Sequence, residues 1–430
     1  MKCVGSSSVK FACATAALAF SLSIGQSANA EVPIVKTDLW ELYTTGRINA
    51  FFSYGFGDAN PYALPGENIP AGGGLNTGND VIPQVGPDGK PLPVQGTFRS
   101  MRVRSGFVPN VFGLGLRRKM SEDTMLSIYF AIWATIESEG QRKASPVFAD
   151  AREGYFKVES QRWGSLVAGR ALDLFSRGAT QNDFLYGHGY GLGFPGNIDT
   201  YGPTNGMIGF GVLAAFFTPG LVYATPTVAG LQLSVGVYDP TTLPGYYEAT
   251  RDARPETELT YDVAGGIVKA HIFVNGAYQT FNKPGSNDSV NGYGAGYGGR
   301  LEVGPVHLGV AGHYGKGLGM QYAFQPGDIS VSPNLELRTF DGYSALGQVV
   351  VGPVDLNAGW GISRTYALDS DKVMGANISL PQQWAISAGV VYHVTSYLHL
   401  DVDYLHALAS WTLNEGQVMN FINTGITATW

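Results

Sequence analysis

From Tyr397 to Tyr404 the chain reads YLHLDVDY. Leu398, Leu400, Val402 and Tyr404 fall at one parity, and His399, Asp401 and Asp403 at the other. Side chains of a β-strand alternate between its two faces. This segment therefore makes a strand with one greasy face and one ionised face. Met125–Thr135, MLSIYFAIWAT, repeats the theme: Leu126, Ile128, Phe130, Ile132 and Ala134 stand opposite Ser127, Tyr129, Trp133 and Thr135. A soluble sandwich could be built from such strands too. The number of segments and the lengths of their links decide the matter.

Strands are expected near 42–56, 100–118, 124–136, 151–159, 165–171, 218–226, 231–239 and 256–263. Others are expected near 267–281, 290–303, 306–315, 336–351, 354–365, 382–394, 397–409 and 417–430. The links alternate. Lys119–Asp123, Ser160–Gly164, Thr227–Gly230, Ala264–Gly266, Gly304–Pro305, Gly352–Pro353 and Thr395–Ser396 are tight. The spans 57–99, 137–150, 172–217, 240–255, 316–335 and 366–381 are long and rich in Gly, Pro, Asn and Asp. Tight turns on one rim and long loops on the other is the arrangement of an outer-membrane barrel. Past residue 30 no run reaches the ~18 apolar residues of a membrane helix, and closure is the other way to pair every backbone group in lipid. The expected fold is all-β: a transmembrane antiparallel β-barrel of 16 strands, with 18 the alternative. The segment 100–118 is the least certain, since it is long and could hold a bulge near Pro109.

Composition agrees. Charged residues are 14% of the chain, aromatics 12%, and there are 59 glycines. A disordered chain would be charged and poor in aromatics. Residues 1–30 read as a secretory signal peptide: Lys2 and Lys10 lead, Phe11–Ile24 is a short apolar run, and Ala28-Asn29-Ala30 offers small residues for cleavage. Residues 31–430 then form the barrel. Both cysteines, Cys3 and Cys13, lie in the leader, so the exported chain has no disulfide, thiolate metal site or cysteine nucleophile. Removing two lysines takes the net charge from −7 to −9. Nucleic-acid binding needs a basic footprint, so no nucleic-acid partner is expected.

Several segments resemble the Gram-negative general porins of proteobacterial type. LYTTGRINAFFSYG (Leu42–Gly55) is similar to their first strand, with Arg47 in place. FGLGLRRKMSED (Phe112–Asp123) is similar to the second strand and its acidic turn. REGYFKVESQRWGSLVAGRALD (Arg152–Asp173) is similar to the hairpin that ends in a Gly-Arg pair before the pore loop. LVYATPTVAGLQLSVGVY (Leu221–Tyr238) is similar to the segment after that loop. The aromatic last strand, ending in Trp430, is the fifth likeness. The pattern departs in two places: Val111 stands where the family usually has a basic residue, and the loop 57–99 is long and proline-rich.

The resemblance implies a homotrimer of water-filled channels in the cell outer membrane, in contact with membrane lipid and lipopolysaccharide. Each barrel would be narrowed by a third loop, here about Ala171–Thr218, folded into the lumen. It implies passive diffusion of ions and small hydrophilic solutes, or a channel preferring sugars or anionic nutrients, with no cofactor. Charge across the constriction would select solutes. Arg170 matches the family motif directly. Arg47, Arg102, Arg104 and Arg152 would extend the basic side, and Asp173, Asp183 and Asp199 would be the loop acids. The aromatic, glycine-rich stretch Phe184–Asn197 is expected to pack against the wall rather than to tune the pore. Counting back from the end, Trp430, Ala428, Ile426 and Ile422 share an outward face. The resemblance makes this strand the signal read by the barrel-assembly machinery.

Rival motifs are weak. Gly294–Gly299 fits G-x-G-x-x-G, but a strand-like RLEVGPVHL follows where a dinucleotide site needs a helix. His399, Asp401 and Asp403 share a face, which a polar lumen explains without metal. An outer-membrane hydrolase is the enzyme alternative, but there is no G-x-S-x-G elbow.

Overall fold

The computed structural model describes residues 31–58, 97–136, 149–185, 203–240, 252–282, 288–320, 323–324, 336–369, 382–410 and 416–430. The signal-peptide expectation and Asp199 lie outside them. The strands are β1 (Val32–Lys36), β2 (Trp40–Asp58), β3 (Thr97–Arg104), β4 (Asn110–Lys119), β5 (Thr124–Ala134) and β6 (Ala149–Ser160). Next come β7 (Gly164–Leu172), the helix α1 (Arg177–Asn182), β8 (Phe217–Ala224), β9 (Leu231–Tyr238), β10 (Arg254–Gly265) and β11 (Val268–Asn282). The rest are β12 (Ser289–Val303), β13 (Val306–Lys316), β14 (Thr339–Val351), β15 (Val354–Tyr366), β16 (Gln382–Thr395), β17 (Leu398–Ser410) and β18 (Gly416–Thr429).

These make a closed barrel of sixteen staves with two extra strands. From β4 onward each strand pairs antiparallel with the next, and β18 closes on β2. Two features separate eighteen strands from sixteen staves. First, β3 and β4 are halves of one stave: β3 pairs with the second half of β2 and β4 with its first half. This is the irregular second stave expected near Pro109. Second, β1 pairs with β2 between Thr44 and Glu41, beyond the point where β18 stops. It thus continues the line of β18. The sequence predicts no strand there, because five residues show too little alternation to stand out.

The faces sort as the alternation requires. Leu400, Val402 and Tyr404 are exposed on the outer face, while His399, Asp401 and Asp403 are buried on the inner one. The repeated Val-Gly-Pro-Val links are two-residue hairpins whose glycines, Gly304 and Gly352, take φ of 56° and 59°. Only glycine enters that region at little cost, which is why the same turn recurs.

The seam is held at its end by Trp430. Its N–H donates to the Gly46 carbonyl (3.0 Å), and the Gly46 N–H donates to its carbonyl (2.6 Å). Its ring lies where a side chain at position 46 would point: a Cβ there would sit 2.1 Å from the ring. Ile422 and Ile426 are exposed on the same outer face. Trp430→Ala and Gly46→Val, which strip or displace this closure, should each lower the heat-modifiable, folded fraction in the outer membrane severalfold. Wild-type levels in both variants would show that the seam does not need the ring.

Candidate functional site

The third long loop joins β7 to β8. Its described parts, 173–185 and 203–216, lie inside the barrel and bury Phe175, Leu185, Met207, Phe210 and Leu213 almost completely. Their seat is a furrow of inward glycines. Gly294 of β12 lies under Phe175, Gly309 of β13 under Phe184, and Gly359 of β15 under Leu185 and Met207. At Gly361 an added Cβ would come within 1.8 Å of the Phe210 carbonyl oxygen. Glycines here weaken strand propensity but let the loop approach the wall. Of the stretch expected to pack, Phe184 and Leu185 do so; residues 186–197 lie outside the described residues.

Both described loop acids tie the loop down. Asp183 accepts from the backbone N–H groups of Leu185 (2.9 Å) and Met207 (2.7 Å), joining the two described parts. Asp173 sits at the root. It accepts from the Thr218 N–H (3.0 Å) and hydroxyl (2.9 Å), and pairs with Arg254 at 2.5 Å. Arg254 also pairs with Glu256 (2.8 Å), whose other oxygen accepts the Phe175 N–H (2.8 Å). Arg177 of α1 pairs with Glu258. Burial raises the affinity of the Asp173 carboxyl for a proton, Glu256 adds to this, and Arg254 opposes it. One guanidinium thus fastens two buried carboxylates that would otherwise repel.

The arginines divide by exposure. Arg152 and Arg170 keep 29% and 37% of their side chains exposed and share Asp150, itself 34% exposed. Arg152 lies 3.0 Å from this carboxylate and stacks 4.6 Å from the Trp133 ring. Arg170 lies 3.6 Å from it and donates to the carbonyls of Ala151 and Phe217, each at 3.1 Å. Local irregularities place both. Arg152 is the extra residue where the β5–β6 register shifts, and Gly169 takes φ of 129° just before Arg170. By register, Arg102 and Arg104 stand opposite Ser53 and Phe51 on the inner face, as does Arg47 along β2. Arg47 and Arg104 are only 8% and 4% exposed, while Arg102 is half-buried.

Asp150, Arg254, Glu256 and Glu258 were missed as site residues. The signal existed for the last three: charges at every second position, R-x-E-x-E, mark one face of a strand. Among the described residues no group of three His, Cys, Asp or Glu side chains is placed to hold a metal ion. The glycines of the G-x-G-x-x-G match lie within β12. Asp183→Ala removes two charge-assisted hydrogen bonds, worth about 3 kcal/mol together. It should loosen the loop and raise open-channel current noise in planar bilayers; a trace as quiet as wild type would remove Asp183 from this role.

A family model described as Gram-negative porin matches residues 14–407. No curated protein sequence matches the chain. Among solved structures, the outer membrane channel DcaP of Acinetobacter baumannii aligns with a TM-score of 0.62 at 14% identity, over 93% of this chain and all of that one. OmpF of Salmonella typhi, in complex with daunomycin, gives 0.53 at 11% identity, over 92% and 99%. The trimer form of OmpT of Vibrio cholerae gives 0.50 at 13% identity, over 91% and 100%. At these identities the likeness is one of fold: a barrel with a lumen. Together with the family match and the looped lumen described above, it identifies the chain as a member of the Gram-negative porin family, an outer-membrane channel for passive diffusion.

Proposed function

We propose that the protein is exported by its N-terminal leader, inserted through recognition of β18 by the barrel-assembly machinery, and works as a homotrimer among outer-membrane lipid and lipopolysaccharide. The trimer form of OmpT supports the oligomeric state. Ions and small hydrophilic solutes pass down the lumen beside loop 3, and no bond is made or broken. Arg152 and Arg170 line the narrow part, and the observation that carries this is their exposure beside a single shared acid, Asp150. Arg47, Arg102 and Arg104 add positive potential from the adjoining wall. Asp173 and Asp183 act by holding the loop, and Asp199 is the remaining candidate for an acid facing the pore.

Among the described residues the exposed charges here are two arginines against one aspartate, which makes this open lining net basic, although the whole chain is acidic. Only charge at the narrow part governs selectivity, so modest anion preference is expected, which suits the reading of a channel for anionic nutrients. Single-channel recording under a salt gradient tests both levels. Stepwise conductance is expected, and its absence would overturn the diffusion channel itself. The reversal potential should have the sign for anions and move toward cations in Arg152→Gln/Arg170→Gln. A potential near zero in the wild type, or no movement in the double variant, would remove these residues from the selectivity region.

A further inference from the structure

The break in the second stave is more than a gap between β3 and β4. Between the pairs Phe51–Arg104 and Arg47–Val111, three residues of β2 (48–50) stand opposite six (105–110). The surplus folds inward: Ser105, Gly106, Val108 and Pro109 are buried and Val108 joins the apolar cluster of the loop.

One side chain answers the backbone groups this fold takes out of the ladder. Asn49, 1% exposed, accepts the Gly106 N–H at its Oδ1 (2.9 Å) and donates its Nδ2 to the Val108 carbonyl (2.8 Å). Its own N–H donates to the Asn110 side chain (2.7 Å). An amide that offers one donor and one acceptor in a plane is suited to mimic the missing strand.

The far side of the fold meets loop 3. The Phe107 N–H donates to the Pro203 carbonyl (2.6 Å), and the Val108 N–H donates to the Thr204 hydroxyl (2.7 Å). Contact is close: a Cβ on Gly106 would lie 2.3 Å from that hydroxyl. Thr204 is fully buried at φ 74°. A β-branched residue in that region is strained, and such strain persists only where its surroundings over-determine it. A few residues on, Phe210 lies against Gly361 of β15, four strands round the ring from β2. Loop 3 is therefore gripped at two separate places on the wall.

We propose that residues 105–109 are a second constriction element, a fold of the barrel wall that Asn49 positions and that Thr204 engages, and that this grip sets the aperture of the channel. The inference rests on the channel reading. It differs from a simple porin picture in making the wall, not the loop alone, decide solute size. Asn49 is a positioning residue: it acts through the fold rather than on the solute.

The test compares wild type with Asn49→Ala, Thr204→Val and Gly106→Ala. Readouts are single-channel conductance, permeation of neutral sugars of graded size in liposome swelling, and the heat-modifiable folded fraction. Asn49→Ala and Thr204→Val leave backbone groups of the fold without a partner, so the folded fraction should fall, and the channels that do fold should conduct roughly twofold more and admit larger sugars. Gly106→Ala keeps every hydrogen bond and sets a Cβ against Thr204, so it should part loop from wall and widen the aperture as well. Wild-type conductance and size limit in the folded channels of both Asn49→Ala and Thr204→Val would overturn the proposal. If those two variants do not fold, wild-type conductance and size limit in Gly106→Ala would overturn it. A wild-type protein without conductance would instead overturn the channel reading.

Discussion

In a bilayer a backbone N–H or C=O without a partner costs several kcal/mol, since no water can serve it. The rest of this structure depends on that constraint. It forces the sheet to close on itself, β18 against β2, and it makes the last residue part of the seam. It also forbids an unserved break in a stave. Where the second stave does break, a buried asparagine and a loop supply what the neighbouring strand does not.

A closed ring of sixteen staves encloses more space than its own side chains fill. The protein fills part of it by an uneven division of labour around the ring. On β12–β15 small residues face inward and the loop's apolar side chains lie on them. On β9 and β10 tyrosine, arginine and glutamate face inward and hold the loop's root. On β5–β7 charged side chains remain partly open to the lumen. The same loop thus meets apolar, ionic and open sectors in turn. The open one is the sector proposed to meet the solute.

Much of the barrel was legible because each stave repeats one rule. The segments expected at 290–303 and 354–365 are β12 and β15 with almost the same bounds, since alternation and tight Gly-Pro turns mark them locally. The site was less legible. Arg170 and Arg152 were recognisable, but their shared acid, Asp150, lay in what read as a loop, because a register shift next to it spoils the alternation. Arg254 likewise falls in an expected link, although it opens β10. Asp173 and Asp183 read as pore charges; Asp173 is fastened to β8 and β10, and Asp183 to backbone within the loop. Charge in a sequence says that a partner is needed; it does not say whether that partner is water or another part of the chain.

The glycine furrow has a consequence for how the molecule comes to be rigid. Glycine gives up more conformational freedom on ordering than any other residue, and four of them line one arc of the ring where the loop comes down. Before the loop arrives, that arc has few side chains to brace it. Once Phe175, Phe184 and Phe210 are in place, strand and loop stiffen each other. The insert that narrows the passage therefore also serves as the keystone of the arch it obstructs.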